Sequence, residues 1–199
     1  MKSLFDRTKV YLLQDSLSDE NPAAQENDSC DIDGISVHVT EELLDTLDDF
    51  QRAHTADTLD ILLTLDAPFS ENGIRALMLC IKRHEMTGRI LLLSPHHKML
   101  DALKKADPEL QIYPLCDENL VRPWIYAGYL GAKVICMDAR DLLLDADAYG
   151  SEAVDRAHNS NIRVYAWNAD DADTIKALVR IGCDAVLTHV PALARTLVW

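Results

Sequence analysis

The run Arg163-Val-Tyr-Ala-Trp-Asn168, then Asp171 to Gly182, then Asp184-Ala-Val-Leu-Thr-His189-Val-Pro191 reads as strand, helix, strand. Val164, Ala166 and Asn168 alternate with Tyr165 and Trp167, the two-residue period of a strand. Ile175, Leu178 and Val179 then fall at helical spacing, behind an Asp-rich start that suits the positive end of a helix. Gly182 stands where a helix ends in a left-handed residue. The apolar run Ala185-Val-Leu187 follows almost at once. A connection this tight makes the flanking strands parallel, with the helix packed outside them.

The same unit repeats toward the N-terminus. Strands are expected at Val10–Leu13, Gly34–Val39, Asp60–Asp66, Arg89–Ser94, Gln111–Cys116 and Lys133–Asp138, the fifth weakened by Pro114, which lacks a ladder donor. Between them lie helical stripes: Leu43, Leu44, Leu47 and Phe50 behind a Thr40 cap, and Ile74, Leu77, Met78 and Ile81 behind a Ser70 cap. Met99, Leu100 and Leu103 mark a short helix, residues 119–130 and 151–159 two more, and 191–199 a closing one, while 140–149 reads as a loop. Eight strands, nearly all followed by a helix, predict a compact α/β (β/α)8 TIM-type barrel filling residues 1–199 as a single domain. The architectural rival is an open doubly wound sheet, which needs fewer strands. Residues 16–32 are polar and aperiodic and are expected to be irregular and flexible.

The net charge of −14 excludes a basic nucleic-acid surface and disfavours an anionic membrane. No run of 18 apolar residues is present, so no membrane span is expected. Cys30, Cys80, Cys116, Cys136 and Cys183 show no Cys-x-x-Cys spacing, which fits free thiols in a reducing compartment. With no apolar signal core after Met1-Lys-Ser-Leu-Phe-Asp-Arg7, a cytoplasmic location is expected. Neither a Walker loop nor a G-x-G-x-x-G fingerprint occurs.

In a barrel the chemistry gathers where strands end. Alternation sets Ser36 with His38, and Thr64 with Asp66, so both pairs can face one mouth. His38 oriented by Asp66 would make a general base, unless His38 is a hydrogen-bonded residue of the barrel wall. His38, Asp66, Asp138 and His189 are the alternative: a mixed nitrogen and oxygen site for a divalent metal. His96-His97 begins a helix and suits the surface. Trp167 either stacks on a ligand at the mouth or faces the helices.

From about residue 60 onward the chain resembles the glycerophosphodiester phosphodiesterase family. The residues that carry the resemblance are Ala157-His158, Ile162-Arg-Val-Tyr-Ala-Trp167-Asn168, Ile181-Gly-Cys-Asp184-Ala-Val-Leu-Thr188 and Pro191. Arg89-Ile-Leu-Leu-Leu-Ser94 through Leu100, and Asp33-Gly-Ile-Ser-Val-His-Val-Thr40, are similar to earlier family strands. The resemblance implies a barrel that cleaves glycerophosphodiesters to an alcohol and glycerol 3-phosphate, with a role in lipid metabolism. It implies a magnesium or calcium ion held by carboxylates and two histidines in acid–base roles, which is sensible chemistry for a phosphoryl centre. It also implies pocket roles for Ser94 and Trp167.

The departures fall on the chemistry. Gln14-Asp15-Ser16 stands where the family's His-Arg-Gly is expected, Ser36 and His38 replace a Glu-x-Asp pair, and Thr64 and Asp66 replace a Glu-x-Lys. Thr40 runs straight into a helix where the family inserts its second catalytic histidine, and His189 replaces an Asp. Losing several anionic ligands removes the source of cation affinity. The expectation is therefore a divergent family barrel with hydrolase activity lost or strongly reduced, a binding or regulatory module for a small phosphoester, needing no cofactor. The alternative is an active phosphoric diester hydrolase with a rebuilt His/Asp site, in which magnesium or calcium returns.

Overall fold

The computed structural model describes residues 8–14, 32–53, 59–83, 88–116, 120–144 and 149–198. Eight parallel strands close into a barrel in chain order. They are β1 (Lys9–Gln14), β2 (Gly34–His38), β3 (Asp60–Thr64), β4 (Ile90–Ser94), β5 (Gln111–Cys116), β6 (Val134–Asp138), β7 (Arg163–Trp167) and β8 (Ala185–Thr188). β8 returns to β1 with Val10 opposite Val186 and Tyr11 opposite Leu187, which leaves no sheet edge. The open-sheet rival is thereby excluded. The expected irregular stretch 16–32 falls, but for Ile32, outside the described residues.

Helices alternate with the strands: α1 (Leu44–Ala53, after a 3-10 turn at Glu41–Leu43), α2 (Glu71–Arg83), α3 (His97–Ala106) and α4 (Pro123–Tyr129). They continue with α5 (Ala139–Leu143), α6 (Ser151–Asn159), α7 (Ala172–Ile181) and α8 (Pro191–Leu197). None of these helices is long and apolar enough to cross a membrane. Ser70 caps α2 as expected, its Oγ accepting from Gly73 N at 3.0 Å. Thr40 differs: its side chain makes no cap bond, and the carbonyl opens the 3-10 turn instead by accepting from Leu43 N.

The segment read as a loop after β6 holds a short helix, α5, because the Asp138 carboxylate accepts from Arg140 N at 2.7 Å and caps it. The helix expected over 119–130 is shorter, starting at Pro123, whose fixed φ suits the first helical position. Pro114 leaves its mark too: β5 pairs with β6 only at Leu115 and Cys116, past the missing donor. Gly182 ends α7 at φ 90°, donating to Leu178 O and Val179 O.

Both faces of every strand are covered, so the strands read as nearly continuous apolar runs. Val10, Leu12, Ile61, Leu63 and Leu65 point outward into the main core beneath the helices. Tyr11, Leu62, Leu91, Leu93, Tyr113, Cys136, Tyr165 and Leu187 fill the barrel itself. Three tyrosines from odd-numbered strands meet there: Tyr11 lies 5.6 Å from Tyr165, and Tyr113 packs edge-on against Tyr165 at 5.3 Å. The Tyr11 hydroxyl donates to Asp60 Oδ2 at 2.9 Å, and Lys9 Nζ reaches the same oxygen at 2.9 Å. Burial first, then the neighbouring hydroxyl and carboxylate, push the Tyr11 phenol far above its ordinary range. Tyr11 therefore stays a neutral donor. Gly34 makes room for this ring, because a Cβ there would sit 2.6 Å from it.

Candidate functional site at the barrel mouth

The ends of β2 and β3 bring four sequence-identified residues together. Ser36 and Thr64 are buried, and their hydroxyls hydrogen-bond to each other at 2.9 Å. One step toward solvent, His38 Nδ1 bonds the Asp66 carboxylate, with side chains 40% and 52% exposed. The carboxylate accepts a hydrogen bond from Nδ1–H, which in the neutral ring leaves Nε2 as the lone pair. That is the arrangement of an oriented general base. It is a real pair, held at a wet rim where Coulomb attraction is weak.

At the end of β4 the hydroxyl of Ser94 is fully buried, donating to Leu65 O at 2.6 Å and accepting from His96 N at 3.0 Å. It holds the turn into α3. His96 Nε2 bonds Asp66 O at 2.6 Å, tying that turn to the loop after β3. His97 has both nitrogens engaged, Nε2 with Leu115 O at 2.8 Å and Nδ1 with the Tyr126 hydroxyl at 2.6 Å. A carbonyl can only accept, so Nε2 carries a proton toward Leu115 O, and Nδ1 shares a hydrogen bond with the Tyr126 hydroxyl. His97 is a strut between α3, β5 and α4.

On the other side, Asp138 ends β6 and accepts from Arg140 N, from the Arg140 guanidinium at 2.9 Å and from Asn168 Nδ2 at 3.0 Å. Burial alone would raise its pKa; the bonds from Arg140 and Asn168 outweigh this and hold it below the usual value. Asn168 reaches Asp138 from a left-handed backbone at φ 59°. Trp167 points inward, packed against the barrel interior rather than the helices, with its buried Nε1 lacking a hydrogen-bond partner among the described residues. After β8, His189 Nδ1 bonds Asp170 Oδ2 at 3.0 Å, and Asp170 Oδ1 accepts from Thr188 Oγ1 and His189 N. The Asp170 carboxyl is likewise held low: burial opposes it, but the bonds from His189 and Thr188 prevail.

The four residues read from the sequence as one ligand set are thus distributed over three separate pairings: His38 with Asp66, Asp138 with Arg140 and Asn168, His189 with Asp170. Among the described residues, no three His, Cys, Asp or Glu side chains are placed to hold one ion. The donor chemistry agrees, since Ser36 and Thr64 are neutral hydroxyls bonded to each other at the base of the mouth. A hard divalent cation takes a shell of oxygens rich in carboxylate. The described residues do not fit one.

Asp170 and Arg140 are the partners sequence reasoning passed over as such. Arg140 lies two residues past Asp138, an offset at which a carboxylate can accept from backbone, whereas Asp170 meets Thr188 and His189 from 18 and 19 residues away. Only the Asp138–Arg140 spacing is a local signal.

The fold and the strand-end polar pairs define a (β/α)8 barrel whose mouth carries carboxylate-oriented imidazoles instead of a carboxylate cage. A family model for the glycerophosphoryl diester phosphodiesterase family matches residues 15–193, and the chain belongs to that family. A glycerophosphodiester phosphodiesterase of Caldanaerobacter subterraneus is 25% identical over 115 residues, 58% of this chain, and the match spans only 44% of that relative's length. The solved glycerophosphodiester phosphodiesterase of Parabacteroides distasonis superposes with a TM-score of 0.77 at 15% identity, covering 96% of each chain. An Oleispira antarctica phosphodiesterase in complex with the product sn-glycerol-3-phosphate gives 0.60 at 16% identity, over 79% of this chain and 59% of that one. These superpositions establish the shared barrel.

Proposed function

We propose that this chain is a family barrel without metal-dependent hydrolysis, whose mouth serves as a receptor for a small phosphoester. The observation that carries this reading is the buried Ser36–Thr64 bond at the base of the mouth. It stands at positions where the family resemblance implies acidic residues. A neutral hydroxyl pair offers a cation no charge, and with no ion to offset the phosphoryl oxygens the in-line attack loses its main electrostatic support. His38, His189 and Arg140 remain at the rim as the groups suited to an anionic ester. Sn-glycerol-3-phosphate, the product bound in the Oleispira protein, is the first ligand to try.

One observation favours a second reading. His38 held by Asp66 is a competent general base, and it supports a rebuilt phosphoric diester hydrolase. The test incubates the protein with glycerophosphocholine and a generic aryl phosphodiester, with and without magnesium, calcium or manganese. In parallel, calorimetric titration with sn-glycerol-3-phosphate compares wild type with Arg140→Ala. Saturable binding weakened by Arg140→Ala, with no turnover and no metal-dependent thermal shift, is the expected result. Turnover abolished by His38→Ala overturns the receptor reading in favour of the enzyme.

A further inference from the structure

On the outside of the barrel a cavity of about 530 Å³ opens between α4 and α6. This is within the size range of small-molecule sites. Trp124, Ile125 and Ala153 make its apolar wall, and Tyr149 closes one side with its hydroxyl donated to Leu120 O at 2.7 Å. That bond occupies the phenol and leaves the ring as a surface. Val121 beside it is 84% exposed and Ile125 42%, an apolar investment at a solvent-facing edge that the barrel core does not use.

The charge lining this cavity opposes that of the chain. Among the described residues, Arg122 and Arg156 border it with one carboxylate, Glu152, in a protein of net charge −14. Arg156 pairs with Glu152 at 3.3 Å, but both side chains are more than 60% exposed, so the pair is weak and exchangeable. Arg122 makes no ion pair among the described residues. Two guanidiniums beside aromatic and aliphatic walls match a ligand with an apolar body and an acidic end. None of the residues in the mouth pairings lines this cavity.

We propose that the α4–α6 cavity binds a small organic anion of aromatic or aliphatic body, its apolar part against Trp124 and Ile125 and its acidic end on Arg122 and Arg156. The arginines call for an anionic occupant, and a cavity of about 530 Å³ is the size of a small-molecule site.

The probe is 8-anilinonaphthalene-1-sulfonate, an aromatic anion, set against the uncharged N-phenyl-1-naphthylamine. Wild type binds the sulfonate saturably at one site. The Arg122→Glu/Arg156→Glu variant, altered only at exposed positions, melts as wild type but binds it at least ~tenfold more weakly, the scale of a lost charged hydrogen bond. Its affinity for the uncharged probe is unchanged, whereas Ile125→Glu weakens both probes. Equal sulfonate affinity in the double-charge variant overturns the proposal, as does non-saturable binding. A concentration-dependent dimer abolished by Ile125→Glu, in wild type that binds neither probe, assigns the face to self-association and also overturns it.

Discussion

Replacing Ser36 by Ala removes one of two hydroxyls that, among the described residues, bond each other. Ser36 is fully buried and Thr64 is 6% exposed, so the Thr64 hydroxyl left behind has no water to turn to. A buried polar group stranded in this way costs about 1–3 kcal/mol. For a chain of this length that lowers Tm by roughly 2–4 °C per kcal/mol. Thr64→Val strands Ser36 instead, at similar cost and with almost no change of shape. The double variant removes both hydroxyls together, so no orphan remains, and its loss should fall well short of the sum of the singles. The expected coupling is about 1–2 kcal/mol, read from urea denaturation of all four proteins at pH 7 as a double-mutant cycle. Additivity within ~0.5 kcal/mol would refute the claim that the two hydroxyls bond each other. The receptor reading would then lose its carrying observation, because an open pair could donate oxygens elsewhere.

Three further outcomes follow from the geometry. Tyr11→Phe leaves Lys9 on Asp60 but takes away the phenol bonded to it, so it should cost about 1–2 kcal/mol in urea denaturation, and a neutral result would show the barrel tyrosines to be simple filling. Gly34→Ala places a Cβ against the Asp60 carbonyl and the Tyr11 ring, neither free to move, and should destabilise by about 2–3 kcal/mol; an unchanged melt would contradict the close approach. Asp138 is held below its ordinary pKa in the folded chain, so the unfolded chain binds more protons as pH falls through the ordinary carboxylate value of 3.8. Its contribution is therefore complete at neutral pH and lost on acidification, and Asp138→Asn should flatten the melting profile between about pH 5 and pH 3. An unaltered acid limb would mean that the Arg140 and Asn168 bonds do not discriminate the charged form.

The pairing pattern also explains why the mouth resists a simple reading. Three of its polar groups, Ser94, His96 and His97, serve chain turns and helix contacts. Such a hydroxyl or imidazole looks in sequence like a ligand-binding group, because residue type reveals the donor and not its partner. His158, which lies within the family-like stretch, behaves similarly: its Nε2 bonds Asp184 Oδ2 at 2.8 Å, and that carboxylate also accepts from Val164 N. It staples α6 to the β7–β8 strands.

The order and direction of the strands were legible from local chemistry alone. Alternation in Arg163–Trp167, the helical stripe of Ile175 and Leu178, and Gly182 with its left-handed backbone are short-range signals, each set by the chain's own stereochemistry. Alternation likewise predicted that Ser36 and His38 would share a side with Thr64 and Asp66, since neighbouring parallel strands carry register across. Partnership across longer distances was not legible. Whether His189 would meet Asp138 or Asp170, whether Trp167 would turn toward the barrel or the helices, and whether Tyr11, Tyr113 and Tyr165 would share one interior depend on barrel closure and stagger. Those follow from the simultaneous packing of all eight strands, a collective property that no single segment encodes.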